Sequence, residues 1–178
     1  MEIQIETKRL ILRLFEVTDA KRVQTLAGNE EVARTTLSIP HPYPDGAAEA
    51  WIEHTLSANQ KGKSYSLAVV HKEELLVIGC VSLGVSNNEN QAELGYWVGR
   101  PYWGQGYATE AARKIMDFGF KELHLDRIFA AAMKNNPASC KVLQKIGMKP
   151  LDGLPKQVLK AGVWYDINHY ELTKPGNH

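Results

Sequence analysis

Gly99-Arg100-Pro101-Tyr102-Trp103-Gly104-Gln105-Gly106-Tyr107-Ala108-Thr109-Glu110 is the stretch that decides the fold. Before it stands Ala92-Glu93-Leu94-Gly95-Tyr96-Trp97-Val98, an apolar, aromatic-rich run that reads as a strand. After it, Ala108, Ala111, Ala112, Ile115, Met116 and Gly119 fall on one helical face. The joint is therefore strand, glycine loop, helix, with the helix expected to begin near Gln105. Glycine tolerates positive φ and lets a ligand come close to the backbone. The first amides of a helix have no intrahelical acceptor. With the helix dipole they form an anion site suited to a pyrophosphate. Glycine also punctuates many strand–helix joints, so the loop alone leaves a plain turn open.

The rest of the chain supplies strands and helices around this joint. Arg9–Leu14 alternates, with Leu10, Leu12 and Leu14 on one parity and arginines on the other, which predicts a strand. Thr18-Asp19 is a cap signal for a helix through Val23 and Leu26. Pro40-His41-Pro42-Tyr43-Pro44 cannot be helical, because each proline restricts the residue before it. Asp45-Gly46 opens a helix carrying Ala48, Trp51, Ile52 and Leu56, and Gly62 ends it. Ser64–Val70, Leu75–Leu83 and Ala92–Val98 form an antiparallel meander, with turns at 71–74 and 87–90. Arg127–Met133 is a further strand. Asn136-Pro137 starts a helix with Cys140, Leu143 and Ile146 that stops at Gly147. Val158-Leu159 and Trp164–Leu172 close the chain as a hairpin around Ala161-Gly162. Such an order indicates an α/β or α+β fold with a mixed sheet.

Composition excludes classes without choosing one. The 178 residues suit a single domain spanning 1–178. Lys+Arg 21 against Asp+Glu 20 leaves a net charge of +1, which argues against a nucleic-acid partner. Two cysteines, Cys80 and Cys140, make no disulfide framework and fit a reduced cytoplasmic setting. The longest apolar stretch, Leu75–Leu83, is about half a membrane span, so no membrane partner is expected. The opening Met1–Glu6 is acidic and lacks a signal pattern. The six histidines (41, 54, 71, 124, 169 and 178) show no H-E-x-x-H spacing, and no metal is expected.

Two familiar phosphate motifs fail. A dinucleotide fingerprint would need a third Gly or Ala where Thr109 stands. Gly62-Lys63-Ser64 resembles the tail of a P-loop, but Ser57 occupies the upstream glycine position and a strand follows. The loop instead resembles the acyl-CoA site of the GNAT acetyltransferases, whose signature is Q/R-x-x-G-x-G/A. Gly106 and Ala108 fit that signature, and Trp103 replaces its Gln or Arg. The run Trp103-Gly104-Gln105-Gly106-Tyr107-Ala108-Thr109-Glu110-Ala111 is similar to the RimJ/RimL-like branch, which acetylates ribosomal-protein N-termini. Thr7–Arg13, Ile78-Gly79, Glu93–Val98 and Asn136–Met148 extend the likeness over nearly the whole chain, with Met148 in place of Phe.

The resemblance implies the GNAT fold: a central mixed, mostly antiparallel sheet flanked by helices. It implies transfer of an acetyl group from acetyl-CoA to an amine by direct attack on the thioester, without metal. Trp97 and Val98 would pair with the pantetheine arm through their backbones. Trp103, Gly104, Gln105, Gly106, Tyr107, Ala108 and Thr109 would form the pyrophosphate loop, its amides from Gly104 onward holding the phosphates. The Val98 amide would polarise the thioester carbonyl, and Asn136 would bond near the pantetheine. Ser139 would protonate the departing sulfur or be a helix-surface hydroxyl. Glu93 would be the base, acting through one water, or an exposed strand carboxylate. Asp166 is a second candidate for base, acceptor contact or surface ion pair.

For the acceptor wall, the resemblance points to the proline-rich loop and the helix after it. Tyr43, Trp51, Tyr165 and Trp164 could form an aromatic slot there, although Trp51 also has core spacing. Cys140 lacks a Cys-His pattern and reads as packing. A CoA-holding protein that has lost transfer, and acts as a sensor or partner, is the competing expectation. The family resemblance allows a homodimer, with no interface legible in the sequence.

Overall fold

The computed structural model describes residues 2–86 and 88–176. Asn87, expected in a turn, and His178 lie outside them. The elements run β1 (Gln4–Glu6), β2 (Leu10–Leu14), α1 (Ala20–Ala27), α2 (Glu30–Arg34), α3 (Ala47–Gln60), β3 (Ser64–His71), β4 (Leu76–Ser86) and β5 (Gln91–Val98). They continue with α4 (Tyr107–Lys121), β6 (Arg127–Met133), α5 (Pro137–Lys145), β7 (Lys149–Leu151), β8 (Gln157–Lys160) and β9 (Val163–Thr173). Among the described residues, nine strands form the sheet in the order β1-β2-β3-β4-β5-β6-β9-β7, with β8 paired to β9. Every pairing is antiparallel except β5 with β6. The expected mixed, mostly antiparallel sheet with flanking helices is thus the observed one. No helix among the described residues is long and apolar enough to cross a membrane.

Both sheet faces are covered, which explains why β3 and β4 read as almost continuous apolar runs. Leu67 and Val69 join a core with Leu12, Leu83, Leu94, Ile115, Ile128 and Leu143, where α4 and α5 lie. Ala68 and Val70 turn the other way, to Phe15, Val23, Ala48, Ile52 and Cys80 under α1 and α3. Gly119 is where α4 comes closest to the sheet: a Cβ there would meet Leu83 Cδ1 at 2.9 Å.

Local reading errs at several ends. Helix α4 begins at Tyr107 rather than near Gln105, because Gly104 and Gly106 both have positive φ (75° and 82°) and hold the chain in a loop. Asp19 stands at the N-cap of α1, but its carboxylate makes no cap bond there. It is taken by a bidentate pair with Arg13 at 2.8 and 3.0 Å and by the Glu16 amide at 2.8 Å. Strands β1 and β7 and helix α2 have no forecast in the sequence reading. They are three to five residues long, too short for a periodic signal.

The start of α4 is anchored to the first strands through Glu110. Its carboxylate accepts from the Thr7 hydroxyl at 2.6 Å, the Arg9 amide at 3.1 Å and Arg9 Nε at 2.9 Å. Partial burial alone would raise this carboxyl's pKa. The bonds from Thr7 and Arg9 outweigh it and hold the group below its ordinary value. A depressed folded-state pKa stabilises the fold above the unfolded value, and the contribution is lost as pH falls through the folded one. Thermal unfolding of wild type between about pH 5 and 3 should therefore lose stability more steeply than that of Glu110→Gln. Parallel slopes would show that this carboxylate does not anchor α4.

Candidate active site

The sheet opens at one place. β5 and β6 pair only at Gln91 with Arg127, Ala92 with Ile128 and Glu93 with Phe129. Yet β5 continues to Val98 and β6 to Met133. The strands part there, and a cavity of 850 Å³ enters the split. Its floor and sides include Glu93, Tyr96, Trp97, Val98, Ala131 and Met133.

Strand alternation determines which backbone groups face the split. The Gly99 amide donates to the Ile78 carbonyl at 2.8 Å, so Gly99 points to β4. In an antiparallel ladder this alternates. Trp97 therefore also spends its backbone on β4, opposite Cys80. Tyr96 and Val98 turn their amides and carbonyls toward the cleft. Val98 thus has its amide on the cleft side, and Trp97, expected to pair there through its backbone, does not, while Tyr96 does. The Trp97 side chain instead packs in the core under α1 and α3.

The glycine loop closes one end of the cleft. Gly104, Gly106, Tyr107, Ala108 and Thr109 line it. Gly106, the N-cap of α4, has no side chain to cap the helix, and the first-turn amides remain open to a ligand. Gln105 is turned away: its carbonyl accepts from Arg9 Nη1 at 2.8 Å and its side chain donates to the Pro101 carbonyl at 3.3 Å. The Tyr107 ring is buried, bonded to His71 at 3.0 Å and covered by Arg9, so Tyr107 offers the site its backbone. Trp103 ties loop to strand, its indole N–H donating to the Val98 carbonyl at 2.7 Å. Arg100 stacks on its other side at 4.8 Å. Lys141 and Lys145 also line the cavity, and Arg9, Arg113, Lys114 and Lys145 surround an adjoining recess of 450 Å³.

Ser139 sits on the α5 side of the split. Its hydroxyl is 2.7 Å from the Tyr96 hydroxyl, which also donates to the Ser139 carbonyl at 3.1 Å. Burial pushes the Tyr96 phenol up to about 12, so it stays protonated at neutral pH. Tyr96 is a site residue that sequence reasoning missed. Its parity, opposite to Trp97, was legible, but the parting of the strands was not.

Asn136 caps α5 by accepting from the Ser139 amide at 3.1 Å, and its side-chain nitrogen donates to the Thr35 carbonyl at 3.2 Å. Both bonds are internal and position Ser139 and residue 35, and Asn136 also lines the cavity.

Glu93 is exposed on the opposite sheet face from Tyr96, at the point where the strands part. It shares that wall with Ser66, Ser82, Cys80 and Trp97. Burial pushes the Cys80 thiol up to about 12, which makes it an inert wall group. Tyr43 and Trp51 line the same half, together with Val23, Ala27, Val32, Ile39 and Pro40. The Trp51 ring meets Phe15 edge-on at 4.9 Å, so it is both core and wall. Tyr165 and Asp166 do not line the cavity. Asp166 is exposed on the β8–β9 hairpin and accepts from Gln157 at 3.1 Å, and Trp164 is 63% exposed. The hairpin was expected to form part of the acceptor wall, but β8 pairs on the edge of β9 and turns these side chains outward. Among the described residues, no group of His, Cys, Asp and Glu could hold a metal ion.

The cleft, its open amides and its cationic margin suit an anionic thioester on one side and an amine on the other. Comparison with known proteins agrees. Across residues 9–149 the chain matches the family described as acetyltransferase (GNAT) domain. It is 31% identical over 174 residues to an uncharacterized N-acetyltransferase of Bacillus subtilis, YnaD, covering 97% of this chain and 98% of that one. The crystal structure of a GNAT-family acetyltransferase from Bacillus anthracis superposes with a TM-score of 0.85 at 25% identity, covering 97% and 99%. A ribosomal-protein-S5-alanine acetyltransferase from Vibrio fischeri gives 0.85 at 22% identity, covering 98% of each chain, a likeness of fold. The chain therefore belongs to the GNAT acetyltransferases, enzymes that move an acetyl group from acetyl-CoA to an amine.

Proposed function

We propose that the cleft between β5 and β6 transfers the acetyl group of acetyl-CoA to a primary amine, carried by a protein N-terminus or a small molecule. The observation that carries this reading is the unpaired β5 edge, which runs straight into the open amides of α4. Tyr96 and Val98 receive the pantetheine arm as an added strand. The amides of Gly104, Gly106, Tyr107, Ala108 and Thr109 hold the pyrophosphate, and Lys141 and Lys145 add charge beside it. The Trp103–Ala111 run supports the RimJ/RimL-like branch.

An amine in water arrives as an ammonium and must lose a proton before attack. Glu93 takes this proton through one water. The Val98 amide polarises the thioester carbonyl as negative charge develops on its oxygen. The nitrogen bonds to the carbonyl carbon, the carbon–sulfur bond breaks, and the sulfur leaves as thiolate. Ser139 delivers a proton to that sulfur, and Tyr96 replaces it from its own hydroxyl 2.7 Å away. The amide product sheds the second nitrogen proton to solvent, Glu93 then gives up its proton and Tyr96 regains one through solvent, so one proton is released per turnover.

Gly106→Val tests the cradle. Its φ of 82° disfavours a branched side chain, and a Cβ would stand 3.3 Å from Arg9 Nη2. The fold should survive a strain of about 1–3 kcal/mol, while calorimetry should show loss of acetyl-CoA binding. Unchanged affinity would move the pyrophosphate elsewhere.

The proton path has its own test. Glu93→Gln should lower kcat by about 10²–10⁴ at neutral pH. The deficit should shrink as pH approaches the acceptor's own pKa, where the amine arrives already deprotonated. Ser139→Ala and Tyr96→Phe should lower kcat with unchanged affinity for acetyl-CoA, and the double variant should lose no more than Ser139→Ala alone. A pH-independent deficit in Glu93→Gln, or full activity in Ser139→Ala, removes that residue from the mechanism. Additive losses in the double variant separate Tyr96 from Ser139.

A further inference from the structure

The acceptor half of the cavity carries one sign of charge at one point. Among the described residues that line the cavity, Glu93 is the sole carboxylate, and the sole cations, Lys141 and Lys145, lie on α5. The rest of the acceptor wall is uncharged: Val23, Ile39, Tyr43, Trp51 and Trp97 supply apolar and aromatic surface, and Thr36, Ser38, Ser66 and Ser82 add hydroxyls. Its aromatic members are held in place. Trp51 is set edge-on against Phe15, and the Tyr43 carbonyl accepts from the Gln24 side chain at 3.1 Å.

The stretch 35–40 contributes every one of its residues to the cavity lining. It follows α2, on the α1 and α3 side of the sheet. From the β6–β9 side, Lys160 Nζ donates to the Ala33 and Thr36 carbonyls, and Asn136 donates to the Thr35 carbonyl. These bonds carry the stretch across the split as a bridge between the two halves of the sheet. An extended peptide would need an open trough at that place.

We propose, building on the acetyl-transfer reading, that the acceptor is a small primary monoamine with an uncharged, apolar body of about the size of an aromatic ring. One ammonium has one partner here, Glu93. A second ammonium, as in a polyamine, would be stripped of water against Tyr43 and Trp51 with no carboxylate to meet it, and buried unpaired charge is heavily disfavoured. A free amino acid places its own carboxylate beside Glu93, where no lining cation can receive it. A neutral aromatic or branched body loses nothing and gains the burial of its apolar surface.

The test compares phenethylamine, methylamine, spermidine, phenylalanine and a neutral Ala-initiated peptide amide by free CoA release, with acetyl-CoA binding measured separately. Phenethylamine should exceed spermidine, phenylalanine and the peptide in kcat/KM by about tenfold or more. Tyr43→Ala and Trp51→Phe should each raise KM for phenethylamine severalfold more than KM for methylamine, with acetyl-CoA affinity as the separate readout. Because Trp51 also packs on Phe15, circular dichroism should confirm that each variant folds, and Tyr43→Ala carries the test if Trp51→Phe does not. Spermidine, phenylalanine or the peptide matching phenethylamine would overturn this acceptor class while leaving acetyl transfer intact. Unaltered KM values in a folded Tyr43→Ala would overturn it as well. Acetyl-CoA binding with no amine acetylated would overturn both the class and the transfer reading.

Discussion

Everything at the candidate site depends on hydrogen bonds that β5 and β6 do not make. Past Glu93 and Phe129 the two strands are no longer partners, although each stays paired on its outer edge. An unpaired buried backbone group costs about 1–3 kcal/mol, so an edge of this kind persists only where water or a ligand can reach it. The parting is also where a parallel pair interrupts an otherwise antiparallel sheet. Parallel neighbours need a crossover, and the crossover here is α4, which begins at the same end of β5. The gap in the ladder and the open helix terminus are thus one topological event.

The loop between them is pinned at several points. Trp103 fastens it to Val98, the last residue of β5. Arg9 fastens it from the other side, binding the Gln105 carbonyl, covering Tyr107 and pairing with Glu110 one helical turn later. Two glycines with positive φ would otherwise leave this backbone with wide freedom. The side chains around it remove that freedom without occupying the amides. This is what an anion cradle requires, since donors fixed in advance need no ordering when the ligand binds.

The sequence discloses this arrangement unevenly. The joint from Ala92 to Ala112 was legible because a period-two run gives way to a period-3.6 run across glycines, and each signal is long. The apolar runs of β3 and β4 marked two strands of a meander, while the covering of both sheet faces came only with the structure. The acceptor wall was not legible in the same way. Its stretch 35–40 follows a helix of five residues, and its shape comes from Lys160 and Asn136, which are more than a hundred positions away. Tyr165 and Asp166 fail as wall residues for a related reason. Alternation shows that they face opposite sides of a strand, but only the pairing of β8 with β9 shows that neither side is the cavity. Asn136 shows a subtler limit: its place in the motif is readable, while its two internal bonds are not.

The near-zero net charge of the chain becomes intelligible at the site. A protein that holds an anionic cosubstrate and a cationic acceptor in one cleft cannot favour both with a field of one sign. This chain separates the tasks. In the proposed reading the anion meets backbone amides, which carry partial charge without adding to the formal total. A few lysines and arginines stand only at the margin. In the proposed reading the ammonium meets one carboxylate, Glu93, on the opposite face of the same strand. Because alternate residues of β5 point to opposite faces, Glu93 and Tyr96 are placed on opposite sides of the strand, as the proposed separation of proton removal from proton delivery requires.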